Sequence, residues 1–290
     1  MKKFYLLSTQ HLEDGLWFRD EDDFRVAMNY VAIQAALCRD VTILAFILMS
    51  NHVHFVLKCK CKAEAEEYMN LFKSRYSIYY QKKYGVKELL RRNGLDVREI
   101  PNDDEAAEKV IAYVLMNSVA ANICAFCNQY AWGCGNLFFN PSKLKGTRLG
   151  DLSVRLKIRM LHCKIDSLPE DWVVSPDGYI LPENYVDVSG VEQLFRSPQR
   201  FNYFLRSSSK AKKRLESGDN LPAFRDQSIL HVLSDLCRSL FRKESFAELK
   251  AEEQSELARQ IRFRFSADAN QIARVCGVSY ADAARLLEET

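Results

Sequence analysis

The sequence lacks an apolar run long enough to cross a membrane. A transmembrane helix needs a predominantly apolar run of roughly 18 to 20 residues. No apolar run of this chain is that long. Residues 1–8 contain Lys2 and Lys3 but no long apolar segment of the kind that a signal peptide requires. We therefore expect a cytoplasmic protein without a membrane partner.

The sequence also lacks the cysteine pattern of a secreted disulfide framework. Its nine cysteines are an odd number and are spread from Cys38 to Cys276. Cys124, Cys127 and Cys134 could suggest a zinc site, but no second Cys/His pair follows at the spacing of a zinc finger or ribbon. We therefore interpret these cysteines as buried free thiols.

No strong net charge points to a partner, because 41 Lys and Arg residues nearly balance 38 Asp and Glu residues, leaving +3. Their distribution is more informative, since residues 73–98 combine many cations with tyrosines. Such a mixture suits a single-stranded nucleic acid, although a solvated helix face with lysine stems over tyrosines explains it equally well. The cations predicted to bind nucleic acid are Lys73, Arg75, Lys82, Lys83, Arg91 and Arg92, and the tyrosines between them are Tyr76, Tyr79, Tyr80 and Tyr84.

Histidine is scarce, with five in the chain, and two of these lie close together in an apolar stretch at residues 45–57. His52 and His54 are two positions apart, so on a β-strand their side chains point to the same face of the sheet. The two imidazoles could therefore converge on one ligand. Taken alone, the pair is explained as simply by two half-exposed strand histidines.

The hydrophobic periodicity of the first half of the chain predicts an α+β fold, with helices packed on one side of an antiparallel sheet. Residues 87–100 are predicted to be irregular or a short hairpin, and a last strand could follow the final helix. The predicted strands are residues 3–9, 41–49 and 52–59, and the predicted helices are residues 20–37, 63–84 and 106–127.

The second half is predicted to be mainly helical. We divide the chain into a first domain (residues 1–135), a connector with short helices (136–197) and a helical C-terminal domain (198–290). Residues 269–287 have the form of a helix-turn-helix, in which Gly277 ends the first helix and Ser279 caps the second.

The helix-turn-helix could read duplex DNA, but its second helix is rich in acids, which disfavours an approach to phosphates. A small bundle that packs or binds a protein is the alternative. An upstream basic cluster could contact DNA instead, or be a solvated helix face; it comprises Arg206, Lys210, Lys212, Lys213 and Arg214.

Tyr113 and Asn117 are four residues apart in the last predicted helix of the first domain and therefore share a helix face. If that face looks towards His52 and His54, two imidazoles, an amide oxygen and a phenol surround one cavity. A divalent ion held by the nitrogens and the amide oxygen could polarise a phosphodiester. Tyrosine, with a pKa near 10, needs such help to act as a nucleophile. The alternative for Tyr113 is an ordinary core or interface tyrosine.

These motifs resemble those of the HUH-type single-tyrosine transposases, over about residues 1–135. The REP-associated tyrosine transposase branch has the helix pattern Tyr-x-x-x-Asn-Pro-Val-x-Ala, and this chain reads Tyr113-Val-Leu-Met-Asn117-Ser-Val-Ala-Ala121. Residues 18–24 and 75–85 also resemble family segments. The chain departs from the family at Ser118 (usually Pro) and Ala120 (often Arg), and the Gly-x-Leu-Trp/Phe-x-x-Arg stretch is not recognisable.

The resemblance implies a ferredoxin-like (RRM-like) sheet and an enzyme that nicks and joins single-stranded DNA through a 5′-phosphotyrosine. Tyr113 would be the nucleophile, and His52, His54 and Asn117 would hold Mg²⁺ or Mn²⁺. The substrate would be hairpin DNA. Two alternatives are a domesticated, non-catalytic DNA-binding or regulatory protein that kept the fold, and an RNA-binding sheet domain. The oligomeric state, monomer or homodimer, is left open.

Overall fold

The computed structural model describes residues 2–12, 15–86, 93–141, 145–163, 168–210 and 224–288. Short 3-10 helices lie at Cys127–Gln129, Leu149–Asp151, Pro182–Asn184 and Phe246–Glu248. The strands and α-helices are, in chain order, β1 (Lys3–Thr9), α1 (Glu21–Leu37), β2 (Thr42–Met49), β3 (His52–Cys59), α2 (Lys62–Tyr84), β4 (Leu95–Ile100), α3 (Asp104–Leu115), α4 (Asn117–Ala120), β5 (Thr147–Arg148), α5 (Val154–Leu161), β6 (Val173–Val174), α6 (Val188–Phe195), α7 (Pro198–Ser207), α8 (Asp226–Phe241), α9 (Ala251–Phe265), α10 (Ala269–Cys276) and α11 (Tyr280–Glu288).

The main sheet has the strand order β2-β3-β1-β4, and each neighbouring pair is antiparallel. With a helix after β1 and another after β3, this is the ferredoxin-like arrangement. The predicted α+β fold and its ferredoxin-like sheet are confirmed. The C-terminal part of the chain is helical, as predicted.

The last strand of the sheet, β4, precedes the tyrosine-bearing helix, whereas the sequence predicted an irregular segment or a short hairpin there and allowed a last strand after that helix. β4 pairs with β1 only, at the edge of the sheet. Only Val97 and Ile100 are buried among the residues of β4. Its hydrophobic pattern is therefore too sparse to predict a strand from the sequence. Pairing with β1, rather than local sequence, decides this element.

Helices cover both faces of the sheet rather than one. Adjacent residues of a strand point to opposite faces, and on β3 the ring of Phe55 contacts Tyr68 and Phe72 of α2. His54, on the other face, meets Tyr113 of α3. α3 packs on β2 and β3 and buries Ile111 there. The prediction that all helices lie on one side is therefore wrong, because the histidine-bearing face is covered too.

The tyrosine helix is shorter than predicted. Asp103 caps it by accepting a hydrogen bond from the Ala106 amide, as expected of the acidic start. The helix is interrupted at Met116, and α4 ends at Ala120. Asn122 has a φ of 55°, which places it in the left-handed region that commonly terminates helices. Residues 121–126 are consequently not helical.

Two hydrophobic cores divide the described residues. The first contains the sheet and also residues of the predicted connector, among them Leu149, Ile180 and Phe195. It extends to Phe204 and Leu205 of α7, which the sequence assigned to the C-terminal domain. The three-segment division stays a prediction, and the packing favours a boundary after Leu205 because the second core begins at Ile229.

The second core is built by α8 to α11 and includes Leu257, Ile261 and Ile272. Gly277 ends α10 with a φ of 70°, and the Ser279 hydroxyl accepts a hydrogen bond from the Asp282 amide at the start of α11. The predicted turn and cap are therefore confirmed. Across the described part of the chain, no helix combines the length and apolarity that a membrane span requires.

Candidate active site

His52 and His54 begin β3 directly after the turn that joins it to β2. The segment before α1 stabilises this turn. The amides of Trp17 and Phe18 both donate to the Ser50 carbonyl, at 2.8 and 3.2 Å. Both histidines are almost fully buried, at 5% and 3% exposure. Their imidazoles meet edge to face, with ring centres 4.9 Å apart. The predicted convergence of the pair is thus present.

In each of these imidazoles the Nδ1 atom has a hydrogen-bond partner. The Ser8 hydroxyl of β1 lies 2.6 Å from Nδ1 of His54. The Asn51 carboxamide lies 2.9 Å from Nδ1 of His52 through its oxygen, while its nitrogen donates to the Leu12 carbonyl. An amide oxygen can only accept, so His52 carries its proton on Nδ1.

The Nε2 atoms of His52 and His54 are buried, and neither has a hydrogen-bond partner among the described residues. A metal-bound histidine typically donates its other ring N–H to an oxygen, which leaves the coordinating nitrogen with a free lone pair. The unsatisfied Nε2 atoms and the oxygen partners at Nδ1 match this pattern. The two residues therefore fit a divalent metal ion.

Both rings are held neutral, as metal ligation requires. Burial lowers the pKa of His54 to about 3, with smaller contributions from the charges of Lys210 and His11. Burial also lowers the pKa of His52 well below its usual range, and the neighbouring His54 and His11 add to the effect. Desolvation disfavours the charged imidazolium, so both side chains are lone-pair donors at neutral pH.

A third histidine, His11, joins the pair, although the sequence analysis did not select it. Its exposed ring stacks on His52 with ring centres 3.7 Å apart and an interplanar angle of 12°. One ligand nitrogen from each of His11, His52 and His54 can be chosen so that all three lie within 4.8 Å of one another. His11 follows β1, which pairs with β3. The pairing of these two strands brings His11 beside His52. The sequence alone does not specify that pairing, so it could not single out His11.

Tyr113 lies where the predicted constellation requires it. Its half-buried ring meets His54 edge to face, with ring centres 5.9 Å apart. The two residues line a cavity of about 820 Å³ together with Ser8 and His11. α3 and the start of β3 thus bring the phenol and the histidines to one site.

Asn117 is buried one helical turn beyond Tyr113. Its side-chain nitrogen donates to the carbonyls of Tyr113 and Val114, both at 3.0 Å. Among the described contacts, none joins Asn117 to His52 or His54. Its role as a metal ligand stays a prediction.

Lys210 contacts the ring of Tyr113. Its ammonium lies 4.9 Å from the ring centre of Tyr113. It follows α7, which is anchored to α3 by a bidentate pair in which Arg200 donates to the fully buried Glu108 at 2.5 and 2.7 Å. Lys210 belongs to the basic cluster noted in the sequence, whose members between residues 211 and 214 lie outside the described residues.

The basic and aromatic surface predicted on α2 is not a base-stacking platform. Three of its tyrosines are buried: Tyr76 and Tyr80 donate to the carbonyls of Trp17 and Leu16, and Tyr79 donates to Asp23. The alternation of cations and rings reflects a helix with one buried aromatic face. This correction follows from packing against α1 and the segment before it.

The predicted cations of α2 differ in accessibility. Lys73 is buried and donates to the Asn93 carbonyl, and Lys83 forms ion pairs with Asp20 and Asp23. Lys82 is exposed and Arg75 is half-buried. Arg91 and Arg92 lie outside the described residues. α2 packs on the sheet face opposite Tyr113, so the structure does not bring these cations to the cavity.

The C-terminal helices dock beside the histidine turn. Gln227, near the start of α8, donates to the Phe18 carbonyl at 2.8 Å and to the Ser50 hydroxyl at 3.3 Å. Arg225 forms an ion pair with Glu21 of α1 at 2.9 Å. Arg274 of α10 is close enough for its charge to contribute to the lowered pKa of His52.

Comparisons with known proteins agree with the sequence motifs. Residues 18–95 match the family model described as "Transposase IS200 like". A solved structure described as "Structure of the REP associates tyrosine transposase bound to a REP hairpin" is 12% identical, with a TM-score of 0.33, over 47% of this chain and 79% of that one. No curated protein matches the chain. Residues 18–95, which include His52 and His54, are therefore similar to the IS200-like transposases, and the predicted resemblance to the transposases is confirmed.

Proposed function

We propose that this chain is a metal-dependent enzyme of DNA transposition that nicks and joins single-stranded DNA, with Tyr113 as the nucleophile. The observation that carries the proposal is the contact of the Tyr113 ring with His54, in a cavity where His11 and His54 are also lining residues. If Tyr113 served only for packing, the neutral imidazoles of His52 and His54, with their unsatisfied Nε2 atoms, would have no function beside it.

In the proposed reaction the phenolic oxygen of Tyr113 attacks the phosphorus of a phosphodiester. A bond forms between that oxygen and phosphorus, and the bond from phosphorus to the 3′ oxygen breaks. The phenol releases its proton to solvent, and the departing 3′ oxygen takes up a proton to become a hydroxyl. The DNA downstream of the cut stays attached to Tyr113 through the phosphate at its 5′ end, as a phosphotyrosine ester. Attack by a 3′-hydroxyl reverses the steps and joins the strands. Because each step exchanges one phosphate ester for another, no external energy source is needed.

His52 and His54 would hold the metal ion, with Asn117 as a further proposed ligand. A bound divalent ion would polarise the phosphate and neutralise the charge that develops on it. A mixed set of nitrogen and oxygen ligands suits Mn²⁺ better than Mg²⁺, which prefers oxygen ligands. Ser8 and Asn51 orient the two rings, and Lys210 places a positive charge beside the nucleophile.

The proposed substrate is a single strand that carries a hairpin. Its scissile phosphate would lie in the cavity beside Tyr113, with Lys210 as a phosphate contact. Lys82, Arg75, Arg91 and Arg92 remain proposed DNA contacts for a strand that continues around the domain to α2. Lys73 and Lys83 are less suited to bind a phosphate. Lys73 is buried, and the charge of Lys83 is already paired with Asp23.

The test is a covalent adduct. Full-length protein is mixed with Mn²⁺ or Mg²⁺ and a pool of 3′-labelled single-stranded hairpin oligonucleotides, then denatured and resolved by electrophoresis. The label must be at the 3′ end because tyrosine retains the 5′-phosphate side of the cut. We expect a labelled protein band that requires the metal ion.

Two phenols serve as matched variants, since Tyr113 and Tyr203 both line the cavity. Tyr113→Phe should abolish the adduct, whereas Tyr203→Phe should retain it. An adduct that persists in Tyr113→Phe would refute the assigned nucleophile. Hairpin binding without an adduct, indifferent to metal and to Tyr113→Phe, would support the domesticated DNA-binding alternative, and stronger competition by RNA of the same sequence would support the RNA-binding one.

A further inference from the structure

We propose that His11 is a third imidazole ligand of the divalent ion at His52 and His54, so that this chain has a three-histidine metal site. This inference rests on the proposed function, because it assumes that the site takes a metal ion. His11 lies outside residues 18–95, the segment that matches the family model, and its assignment comes from the geometry of this chain.

The first support is distance. The three candidate nitrogens lie within 4.8 Å of one another. Two imidazole nitrogens bound to one ion at about 2.1 Å are separated by roughly 3 to 4 Å. The histidines are therefore already grouped almost as closely as ligation demands. A rotation of the His11 side chain would close the remaining gap.

The second support is the way in which the backbone around His11 is held. On one side the Gln10 amide donates to the Gly94 carbonyl at 2.9 Å. On the other side Leu12 and Asn51 exchange two hydrogen bonds, amide to carbonyl at 3.1 Å and side-chain nitrogen to carbonyl at 2.9 Å. The same Asn51 side chain orients His52. One residue thus positions both His52 and the segment that carries His11.

The third support is the mobility that ligation requires. The rings of His11 and His52 are nearly parallel, and two parallel stacked imidazoles cannot both direct an in-plane lone pair at one ion. His11 must therefore rotate out of the stack when a metal binds. His11 is an exposed residue, so the rotation displaces no core residue.

The donor set predicts which ions the site prefers. Three neutral imidazole nitrogens favour Mn²⁺, Co²⁺ or Zn²⁺ over Mg²⁺, which prefers oxygen ligands. The Asn117 side-chain nitrogen donates to its own helix, so only the oxygen of that side chain could serve as a further ligand beside the three nitrogens. A three-histidine set would leave open positions for the oxygens of a phosphate.

The competing explanation is that His11 only covers His52 as a stacked ring. His11→Phe separates the two explanations, because phenylalanine keeps the stack but removes the ligand nitrogen. His11→Gln is a second variant in case the larger apolar ring perturbs folding. His231→Phe is the matched control, since His231 is an exposed histidine on α8. Thermal unfolding of each metal-free protein would verify that it is folded.

The experiment measures binding of Mn²⁺ and Co²⁺ alone to the metal-free full-length protein, by calorimetry and by the visible absorption of bound Co²⁺. We expect His11→Phe and His11→Gln to bind at least about tenfold more weakly than the wild type, with an altered Co²⁺ spectrum. His231→Phe should bind as the wild type does. Binding by His11→Phe and His11→Gln with unchanged affinity and spectrum would overturn the inference.

A variant of an expected ligand separates this outcome from failure of the proposed function. If the wild type binds the ion, His54→Phe abolishes binding and the His11 variants bind normally, then the three-histidine site is wrong while the proposed metal site stands. If the wild type binds neither ion, both the three-histidine site and the metal dependence of the proposed function are wrong.

Discussion

The ammonium of Lys210 lies over the ring of Tyr113, 4.9 Å from its centre. The two residues come from α3 and from the end of α7, and the Glu108–Arg200 pair holds these helices together. In the proposed reaction, a cation at this position would stabilise both the phenolate and the phosphate. The proposed nucleophile thus lies between His54 and a positive charge.

Lys210→Gln should slow formation of the covalent DNA adduct by at least about tenfold, because a unit charge about 5 Å away contributes about 3 kcal/mol at an effective dielectric constant of about 20. Lys210→Arg should retain most of the rate. The measurement is the rate of adduct formation under single-turnover conditions. Arg206→Gln, an exposed change on α7, should have little effect. Equal rates in Lys210→Gln and the wild type would contradict the assigned role.

Ser8→Ala should weaken Mn²⁺ binding about tenfold, because it removes the oxygen that orients Nδ1 of His54. Ser8→Thr keeps the hydroxyl and should bind nearly as the wild type does. Calorimetric titration with Mn²⁺ measures the effect. If Ser8→Ala binds Mn²⁺ as tightly as Ser8→Thr, the hydroxyl does not orient the ligand.

The buried histidines should make the metal-free protein sensitive to acid. Above pH 6.5 the His54 ring is neutral in both the folded and unfolded states, so its lowered pKa costs nothing. Below pH 6.5 the unfolded chain takes up a proton that folded His54, with a pKa of about 3, does not. The free energy of unfolding should therefore fall by about 2 kcal/mol for this residue between pH 7 and pH 5, and His52 should contribute in the same direction.

Urea denaturation at several pH values measures this dependence. His54→Gln should flatten the profile between pH 7 and pH 5, because glutamine does not titrate. His231→Gln should leave the slope unchanged. An equal slope in His54→Gln and the wild type would show that His54 is not held neutral by the fold.

The Glu108–Arg200 pair should be important for the position of α7. Glu108 is fully buried while the Arg200 side chain is 42% exposed. Arg200→Met leaves a buried carboxylate without its partner and should lower the free energy of unfolding by about 2 kcal/mol, less than for a fully buried pair. Arg196→Met breaks an exposed pair with Asp104 and should cost below about 0.5 kcal/mol.

A double variant tests the cause of this loss. Glu108→Gln combined with Arg200→Met removes the uncompensated charge and should regain part of the stability that Arg200→Met loses. Chemical denaturation provides the free energies. If the double variant is less stable than Arg200→Met by the full cost of Glu108→Gln alone, the two side chains do not act as a pair.

Local features of the sequence were sufficient to predict most elements of the first domain. β1 and β3 have the predicted bounds, α1 and α2 begin within a residue of the predicted positions, and Gly85 ends α2 in the left-handed conformation. Caps, turns and hydrophobic periodicity act over a few residues, so they can be read without knowledge of the fold. The spacing of His52 and His54, and of Tyr113 and Asn117, is local in the same sense.

The contacts that complete the site depend on segments far apart in the chain. Ser8 meets His54 through strand pairing, His11 reaches His52 through the segment that Asn51 holds, and Lys210 reaches Tyr113 through α7. The same is true of the buried tyrosines of α2, whose alternation with cations resembles a binding surface until the helix is packed. The sequence by itself determined the reactive residue types and the elements that carry them, because these follow from local spacing. Only the tertiary structure decided which residues share the cavity and which are core, because strand register and helix packing join positions that no local pattern relates.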